Sequence, residues 1–239
     1  MAGSGTGHAL NQTATAELVE QMETSPSARR LIFASSVAVA GHEQHRRTPP
    51  LEAGEEPRPT NLYGRTKAEC ERRIRVSSLA WSILRIAVCP TTDHSFRDPG
   101  FELIFDTSAS GRIEVVHSDD AALAFANAVR CDAAIGKILF IGGGERCRSY
   151  ALAFYNRVFA AMGLLPLAPE ALRPGPPCFF GDWLDTAKSQ ELLSFQRHSL
   201  DDILAEMRAS VGFRRWLLKC IAPLVKVMIE RRSPHLASS

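Results

Sequence analysis

Apolar and polar positions follow each other in blocks along this chain, and the blocks predict strands separated by helices. Short runs of bulky apolar side chains at 31–34, 80–88 and 137–141 have the length of buried strands. Helical spacing appears between and after them, at 63–76 and at 150–162. This alternation is typical of an α/β protein.

Several predicted helices have recognisable ends. Asn11 opens a predicted helix as its N-cap, and Ser118 is the predicted N-cap of a helix that follows a short strand at 112–117. Ser199 is placed to cap the last helix of the domain, and Gly163 ends the helix before it. These signals fix where the chain changes direction.

Composition restricts the class of protein. The 239 residues are 45% hydrophobic and 23% charged, enough for one large domain with a substantial core. The net charge of +2 gives no electrostatic reason to expect nucleic-acid binding. Six scattered cysteines form no Cys-x-x-Cys pair, and His42 and His45 lie in a polar loop, so neither a disulfide framework nor a metal site is predicted. A reducing, cytoplasmic compartment and no signal sequence are expected.

The predicted chemistry centres on Tyr63 and Lys67. Four residues apart on one helix, the two side chains project from the same face, so an ammonium can stand beside a phenol. Tyrosine loses its proton near pH ~10, and a fixed positive charge lowers that pKa towards the range useful at neutrality. Ser36, at the end of the preceding strand, is placed to hydrogen-bond the oxygen whose proton the tyrosine handles. Together these residues predict a hydride-transfer site.

A series of motifs surrounds this pair. In order they are Phe-Ala-Ser-Ser-Val-Ala-Val-Ala-Gly at 33–41, Tyr-Gly-Arg-Thr-Lys at 63–67, Glu71, and Trp-Ser-Ile-Leu-Arg at 81–85. The series resembles the extended short-chain dehydrogenase/reductases, the NAD-dependent epimerase/dehydratase family. The resemblance implies an α/β fold with an incomplete Rossmann-like, doubly wound parallel sheet and a small substrate-side lobe near 91–112 and 164–210. It also implies NAD or NADP as cofactor and a small-molecule substrate.

The resemblance assigns roles to the central residues. Tyr63 is the acid/base, and Lys67 is its electrostatic partner and a ribose ligand. Ser36 orients the substrate. Ser36 is preferred to Ser35 because it stands five residues before Gly41, as in the family motif.

Further residues are implied around this centre. The backbone at Val88 and Pro90 is expected to contact the nicotinamide end of the cofactor. Asn11, Ser35 and His117 are secondary candidates for contact with substrate. For Asn11 a helix N-cap, and for His117 a structural place at a helix start, are the interpretations we favour.

Two departures from the family pattern restrict the substrates and the reactions that the resemblance implies. Nucleotide-sugar members commonly carry an Asn two residues after the arginine of the strand, where this chain has Ala87, which counts against a UDP-sugar. Dehydratases carry Asp-Glu directly after the serine or threonine, where this chain has Val37 and Ala38. Elimination of water is therefore disfavoured. Oxidation or reduction of a hydroxyl or carbonyl carbon, or epimerisation through a transient ketone, remains.

The resemblance also predicts what is missing. If Asn11 opens the helix before the serine strand, the chain starts after the first three strands of the fold, and roughly 80 to 100 residues with the pyrophosphate-binding glycine turn are absent. Glycines 142–144 follow a strand, but without a Lys-Ser/Thr they predict a turn rather than a phosphate loop.

Two hypotheses about function stay open. Either this is the catalytic half of a longer NAD(P)-dependent oxidoreductase or epimerase, or it is a non-catalytic remnant that binds a metabolite or a partner protein. The open sheet edge predicts poor stability in isolation, or pairing with another copy as a homo-oligomer.

Residues 1–210 are thus the predicted catalytic part, and residues 211–239 form a tail of different character. Basic and bulky apolar side chains interleave in the tail, and Pro223 is expected to bend any helix there. The uncharged runs are shorter than the ~20 apolar residues of a membrane span. The tail predicts packing on the domain or a partner, which we favour, or peripheral contact with an anionic membrane surface.

Overall fold

The computed structural model describes residues 5–90, 99–179 and 181–236. The helices are α1 (Gly5–Thr24), α2 (Leu62–Arg75), α3 (Ser118–Arg130), α4 (Ala151–Met162), α5 (Ala187–Leu193), α6 (Leu200–Val211) and α7 (Arg214–Glu230). The strands are β1 (Arg30–Ser36), β2 (Ala80–Ile86), β3 (Arg112–Glu114), β4 (Lys137–Ile141) and β5 (Arg148–Tyr150). Short 3-10 turns link several of these elements.

A three-stranded parallel sheet in the order β1-β2-β4 forms the centre of the molecule. Neighbouring residues of β2 face opposite sides of this sheet. Ile83 packs with Val19 of α1 and Ile74 of α2, whereas Leu84 packs against the layer of α3 and α5. Helices therefore cover both faces, and the predicted doubly wound α/β fold with an incomplete parallel sheet is confirmed.

Strand β1 has one paired and one open edge. The N–H of Ala80 donates to the carbonyl of Arg29. Together with the register, this bond determines which residues of β1 turn their N–H and C=O groups towards β2. In a parallel ladder of this kind, the backbone groups of alternate residues, Leu31, Phe33 and Ser35, face β2. Those of Ile32 and Ala34 face the other edge, where no strand of the described ranges pairs.

The second lobe is built on a small antiparallel pair, β3 with β5. Helices α4 and α6 pack together beside it, and Phe105, Phe154, Phe159 and Met207 fill the core between them. Strand β5 is too short to show in the sequence pattern. Of the substrate-side segment predicted at 91–112, residues 91–98 lie outside the described part.

Two helix starts differ from the prediction. Helix α1 begins at Gly5, so Asn11 lies within it rather than capping it. Helix α3 is capped by His117, whose ring accepts from the N–H of Asp119 at 3.1 Å, and Ser118 is the first helical residue. An imidazole nitrogen replaces the expected serine oxygen because the extended backbone at His117 points the ring back over the first turn. The caps expected at Gly163 and Ser199 are confirmed.

Candidate active site

The end of β1 leads directly into a 3-10 turn that fixes Ser36. The Oγ atom of Ser36 accepts from the N–H of Ala38 at 3.2 Å and so caps the turn Val37–Ala40. An oxygen that accepts there keeps its own proton for another partner. The side chain is only half-buried, so that proton is available to a bound molecule.

Helix α2 begins close to this turn. Asn61 caps it by accepting from the N–H of Gly64 at 2.7 Å. Gly64 is required at this position, because a Cβ atom here would overlap the carbonyl oxygen of Ala38. The contact brings the first turn of α2, with Tyr63, against the turn that follows Ser36.

Tyr63 and Lys67 lie together on α2, as the four-residue spacing predicts. The Nζ atom of Lys67 is 5.9 Å from the centre of the Tyr63 ring and 5.0 Å from that of Phe33. It also donates to the carbonyl oxygen of Ala34 at 2.8 Å. Burial lowers the pKa of Lys67, against a smaller opposing effect of nearby acidic groups. Tyr63 is 36% exposed, so its ring borders solvent.

The carbonyl that Lys67 occupies belongs to the open edge of β1. Ala34 directs its backbone groups away from β2, and the lysine takes the place that a neighbouring strand would take. The candidate site therefore lies at the margin of the sheet in the described part of the chain.

A buried ion pair joins α2, the helix that carries Tyr63 and Lys67, to strand β2. Arg85 of β2 contacts Glu71 of α2 through two bonds, Nε to Oε1 at 3.0 Å and a terminal nitrogen to Oε2 at 2.7 Å. Ser35 donates to the same carboxylate at 2.5 Å. Ser35 is thus buried and engaged by Glu71, and its hydroxyl does not reach the surface where Ser36 lies. The sequence marked Glu71 and Arg85 only as motif positions and gave no sign of this contact.

Of two other predicted residues, Val88 is bonded through its backbone and Pro90 lines a neighbouring cleft. The carbonyl of Val88 accepts from the N–H of Val116 at 2.9 Å, so its backbone joins β2 to the second lobe. Pro90 lines a cleft of about 190 Å³ together with Cys89, His117 and Glu206. This cleft lies just beyond the carboxyl end of β2, since Cys89 and Pro90 follow that strand closely.

His117 belongs to a cluster that the fold assembles from distant segments. Its Nε2 lies 2.8 Å from a carboxylate oxygen of Glu206, and its ring stacks on His198 with 4.0 Å between centroids. His198 in turn bonds through Nδ1 to Asp120 at 2.7 Å, and this bond raises the pKa of His198. Because Nδ1 of His117 accepts from Asp119, its Nε2 carries the proton that Glu206 accepts.

The cluster His117, His198 and Glu206 also has the residue types of a metal site, which the sequence did not predict. Its members come from separate parts of the chain, so no short sequence motif predicts the cluster. The stacked rings do not let one ion lie in both ring planes, and Nδ1 of His117 is already an acceptor. As placed, both ring nitrogens of His117 are engaged in hydrogen bonds, with Asp119 and with Glu206.

The remaining predicted positions lie apart from the site. Asn11 is exposed on α1, where its carbonyl accepts from the hydroxyl of Thr15. The glycines at 142–144 form a turn, as expected. The N–H of Gly143 donates to the carbonyl of Val115 and that of Gly144 to the buried carboxylate of Glu114, so neither is offered to a phosphate.

Comparison with known proteins shows which family part of this chain resembles. Residues 5–88 match the NAD dependent epimerase/dehydratase family. No protein of curated function matches the sequence. Among solved structures, a UDP-glucuronic acid 4-epimerase from Bacillus cereus, in complex with UDP-glucuronic acid and NAD, is 20% identical with a TM-score of 0.64. That comparison covers 84% of this chain and 67% of the epimerase.

Two further structures share the fold. A short-chain dehydrogenase/reductase superfamily protein from Agrobacterium tumefaciens with bound NAD is 18% identical, with a TM-score of 0.70 over 92% of this chain and 78% of that protein. The dTDP-glucose 4,6-dehydratase DesIV from Streptomyces venezuelae, as a double mutant with NAD bound, is 19% identical, with a TM-score of 0.68 over 90% and 70%. The match over residues 5–88 and the common fold confirm the resemblance of this chain to the NAD-dependent epimerase/dehydratases of the extended short-chain dehydrogenase/reductases.

Proposed function

We propose that this chain carries the catalytic half of an NAD(P)-dependent oxidoreductase or epimerase acting on a hydroxyl or carbonyl carbon. The observation that carries the proposal is the placement of Tyr63 and Lys67 on one face of α2, packed against the turn that Ser36 begins. The family match over residues 5–88 spans all three residues.

Each of the three side chains has a distinct task in this proposal. Tyr63 exchanges a proton with the substrate oxygen through its phenol. Lys67 places a positive charge beside the ring. Ser36 donates a hydrogen bond to the same substrate oxygen, with its Oγ already oriented by Ala38. The nicotinamide cofactor, when bound, supplies or accepts the hydride.

The described residues suit only the nicotinamide end of that cofactor, with its ribose. The lysine ammonium and the half-open rim around Tyr63 suit the ribose and nicotinamide end. A pyrophosphate needs free backbone N–H groups at a glycine turn before a helix, and in the turn at 142–144 the N–H groups of Gly143 and Gly144 are engaged. The proposal therefore assigns the nicotinamide end to Tyr63, Lys67 and the backbone near Pro90, and derives no step for the phosphates.

The substrate proposed is a small hydroxy or keto compound that is not dehydrated. Val37 and Ala38 stand where an acid and a base would be needed for elimination, and both are buried apolar residues. The cleft lined by Cys89, Pro90 and His117 is the proposed place for the part of the substrate remote from the reacting carbon.

The test uses the protein at the length at which it is made, established by intact mass. Hydroxy and keto compounds are screened with both nicotinamides, following the absorbance of the reduced cofactor. Tyr63→Phe is expected to lower turnover at least about a hundred-fold, because it removes the proton-transferring group. Tyr150→Phe, an exposed tyrosine on β5, is the matched control and should leave turnover unchanged. Undiminished turnover in Tyr63→Phe would contradict the proposal.

A second candidate function is a non-catalytic binding module. The observation in its favour is that Lys67 already donates to Ala34 at the open edge of β1. Calorimetric titration with NAD and NADP separates the two, since a catalytic protein binds at least one dinucleotide at its working length and a remnant binds neither.

A further inference from the structure

Helix α7 carries apolar side chains on two opposite faces. One face packs against the core of the second lobe through Ala222 and Ile229, with Leu218 and Val225 partly buried beside them. The opposite face is exposed. We call its seven bulky members the outward strip: Phe213, Trp216, Leu217, Ile221, Leu224, Val227 and Met228.

The outward strip is continuous rather than scattered. Its members recur three or four residues apart and cover roughly 140° of the helix circumference. Phe213, Trp216, Leu224 and Met228 keep 81%, 70%, 69% and 68% of their surface exposed. Single exposed apolar side chains are ordinary, whereas a contiguous strip of this size marks a surface that binds something.

The charge around the strip is mostly positive. Residues 208–232 contain seven Arg or Lys and one acidic residue, Glu230, which is a net charge of +6. The whole chain has a net charge of +2, so the rest of the chain has −4. The basic charge is thus concentrated on the segment that carries the exposed apolar strip.

A basic cleft lies between α6 and α7 beside the strip. It has a volume of about 320 Å³, and its lining combines three basic side chains, Arg208, Arg215 and Lys219, with Phe213 and Trp216. Arg215 donates to the carbonyls that end α4, which holds its guanidinium in place. This α6–α7 cleft has the charge and the size for a phosphate group, next to aromatic rings.

We propose that the outward strip docks on a membrane surface that carries anionic phospholipid, with a headgroup phosphate in the α6–α7 cleft. Bulky apolar and aromatic side chains between basic ones are the composition of helices that lie in the lipid interface. Basic residues are attracted to the negative surface of such a membrane. Two copies docked through the same strip would instead bring two segments of +6 together. No helix in the described ranges is long and apolar enough to cross a membrane, so the contact is peripheral.

Vesicle flotation with the full chain tests the proposal. One set of vesicles contains phosphatidylcholine alone, and the other contains phosphatidylserine in part. The full chain should float with the second set and much less with the first. Replacing Trp216 and Leu224 with Ser should weaken binding at least about a hundred-fold, from the loss of two buried apolar side chains. Replacing Arg208 and Lys219 with Gln should weaken it about thirty-fold, at roughly fivefold per charge.

Matched controls separate the proposal from nonspecific adhesion. Val76→Ser changes an apolar side chain with 71% exposure on the opposite lobe, and Arg72→Gln changes an exposed basic one. Both should bind vesicles like the unchanged chain. All four variants alter exposed side chains, and their melting temperatures establish that they fold.

Three outcomes would overturn the proposal. The first is equal recovery of the full chain with both vesicle sets or with neither. The second is a loss of binding in Val76→Ser as large as in the Trp216 and Leu224 variant. The third is a dimer in light scattering that this variant dissociates, which would mean that a second copy covers the strip.

Discussion

The buried ion pair between Glu71 and Arg85 offers the sharpest test of how this site is held. Each side chain is only 2% exposed, and the carboxylate receives Arg85 through two nitrogens and Ser35 through its hydroxyl. Glu71→Gln keeps the size of the side chain but removes its charge. Arg85 would then stay buried with neutral acceptors only, the amide oxygen of the glutamine and the carbonyl of Ala53 at 3.2 Å.

The loss of stability expected for Glu71→Gln follows from the burial of both charged side chains. Removing one partner of a buried pair costs about 3 to 5 kcal/mol, because the other charge is left without compensation. The amide oxygen of the introduced glutamine still accepts one bond, so we expect the lower end, about 3 kcal/mol. For a domain of this size, 1 kcal/mol corresponds to roughly 2 to 4 °C, and the melting temperature should fall by about 6 to 12 °C.

Urea unfolding followed by circular dichroism measures the loss directly. Glu69→Gln is the matched control, because Glu69 pairs with Arg72 on the same helix with both side chains exposed. That change should cost less than about 1 kcal/mol. The double change Glu71→Leu with Arg85→Met should recover part of the stability, since no charge is left buried. A Glu71→Gln protein as stable as the Glu69→Gln control would refute this account of the site.

Three further predictions use other parts of the molecule. The bond to Asp120 raises the pKa of His198 above its ordinary 6.5, so its contribution to stability is full below about pH 6.5 and is lost as the pH rises through the raised value. Urea midpoints of His198→Asn should lack this decline. Gly163→Ala should cost about 1 to 2 kcal/mol in a thermal melt, because φ is +87° and a Cβ would lie 2.8 Å from Arg215, whereas Gly54→Ala, with open space around it, should not. Calorimetry on the 239-residue chain should find NAD or NADP binding no tighter than about millimolar, since the N–H groups of Gly143 and Gly144 are engaged within the fold and each charge-assisted phosphate contact left unmade forgoes roughly 1.5 to 3 kcal/mol.

Local signals were sufficient for the central elements of the fold. The apolar runs that became β1, β2 and β4 have the length of buried strands, and the caps at Gly163 and Ser199 obey short-range hydrogen-bond rules. Helix α1 was predicted to start too late because its first turns contain small and polar residues without an apolar face. The pairing of Tyr63 with Lys67 followed from helical spacing alone.

Contacts between distant segments could not be predicted. Glu71 meets Arg85, and His117 meets His198, only because the sheet and the second lobe bring separate elements together. The two apolar faces of α7 were equally visible in the sequence, but which of them packs on the domain depends on the shape of the core it meets. Packing of the tail was therefore expected without a way to choose the face.

Deuterium exchange of individual amides should distinguish the open edge of β1 from its paired edge. Along this strand the N–H groups of Leu31, Phe33 and Ser35 are hydrogen-bonded to β2, and those of Ile32 and Ala34 meet no acceptor in the described ranges. Deuterium exchange should then alternate, slow and fast, along a strand that is otherwise regular. A second polypeptide that added a strand here would slow the fast amides and leave the others unchanged. The exchange pattern along consecutive residues of one strand would thus report whether the sheet has been extended.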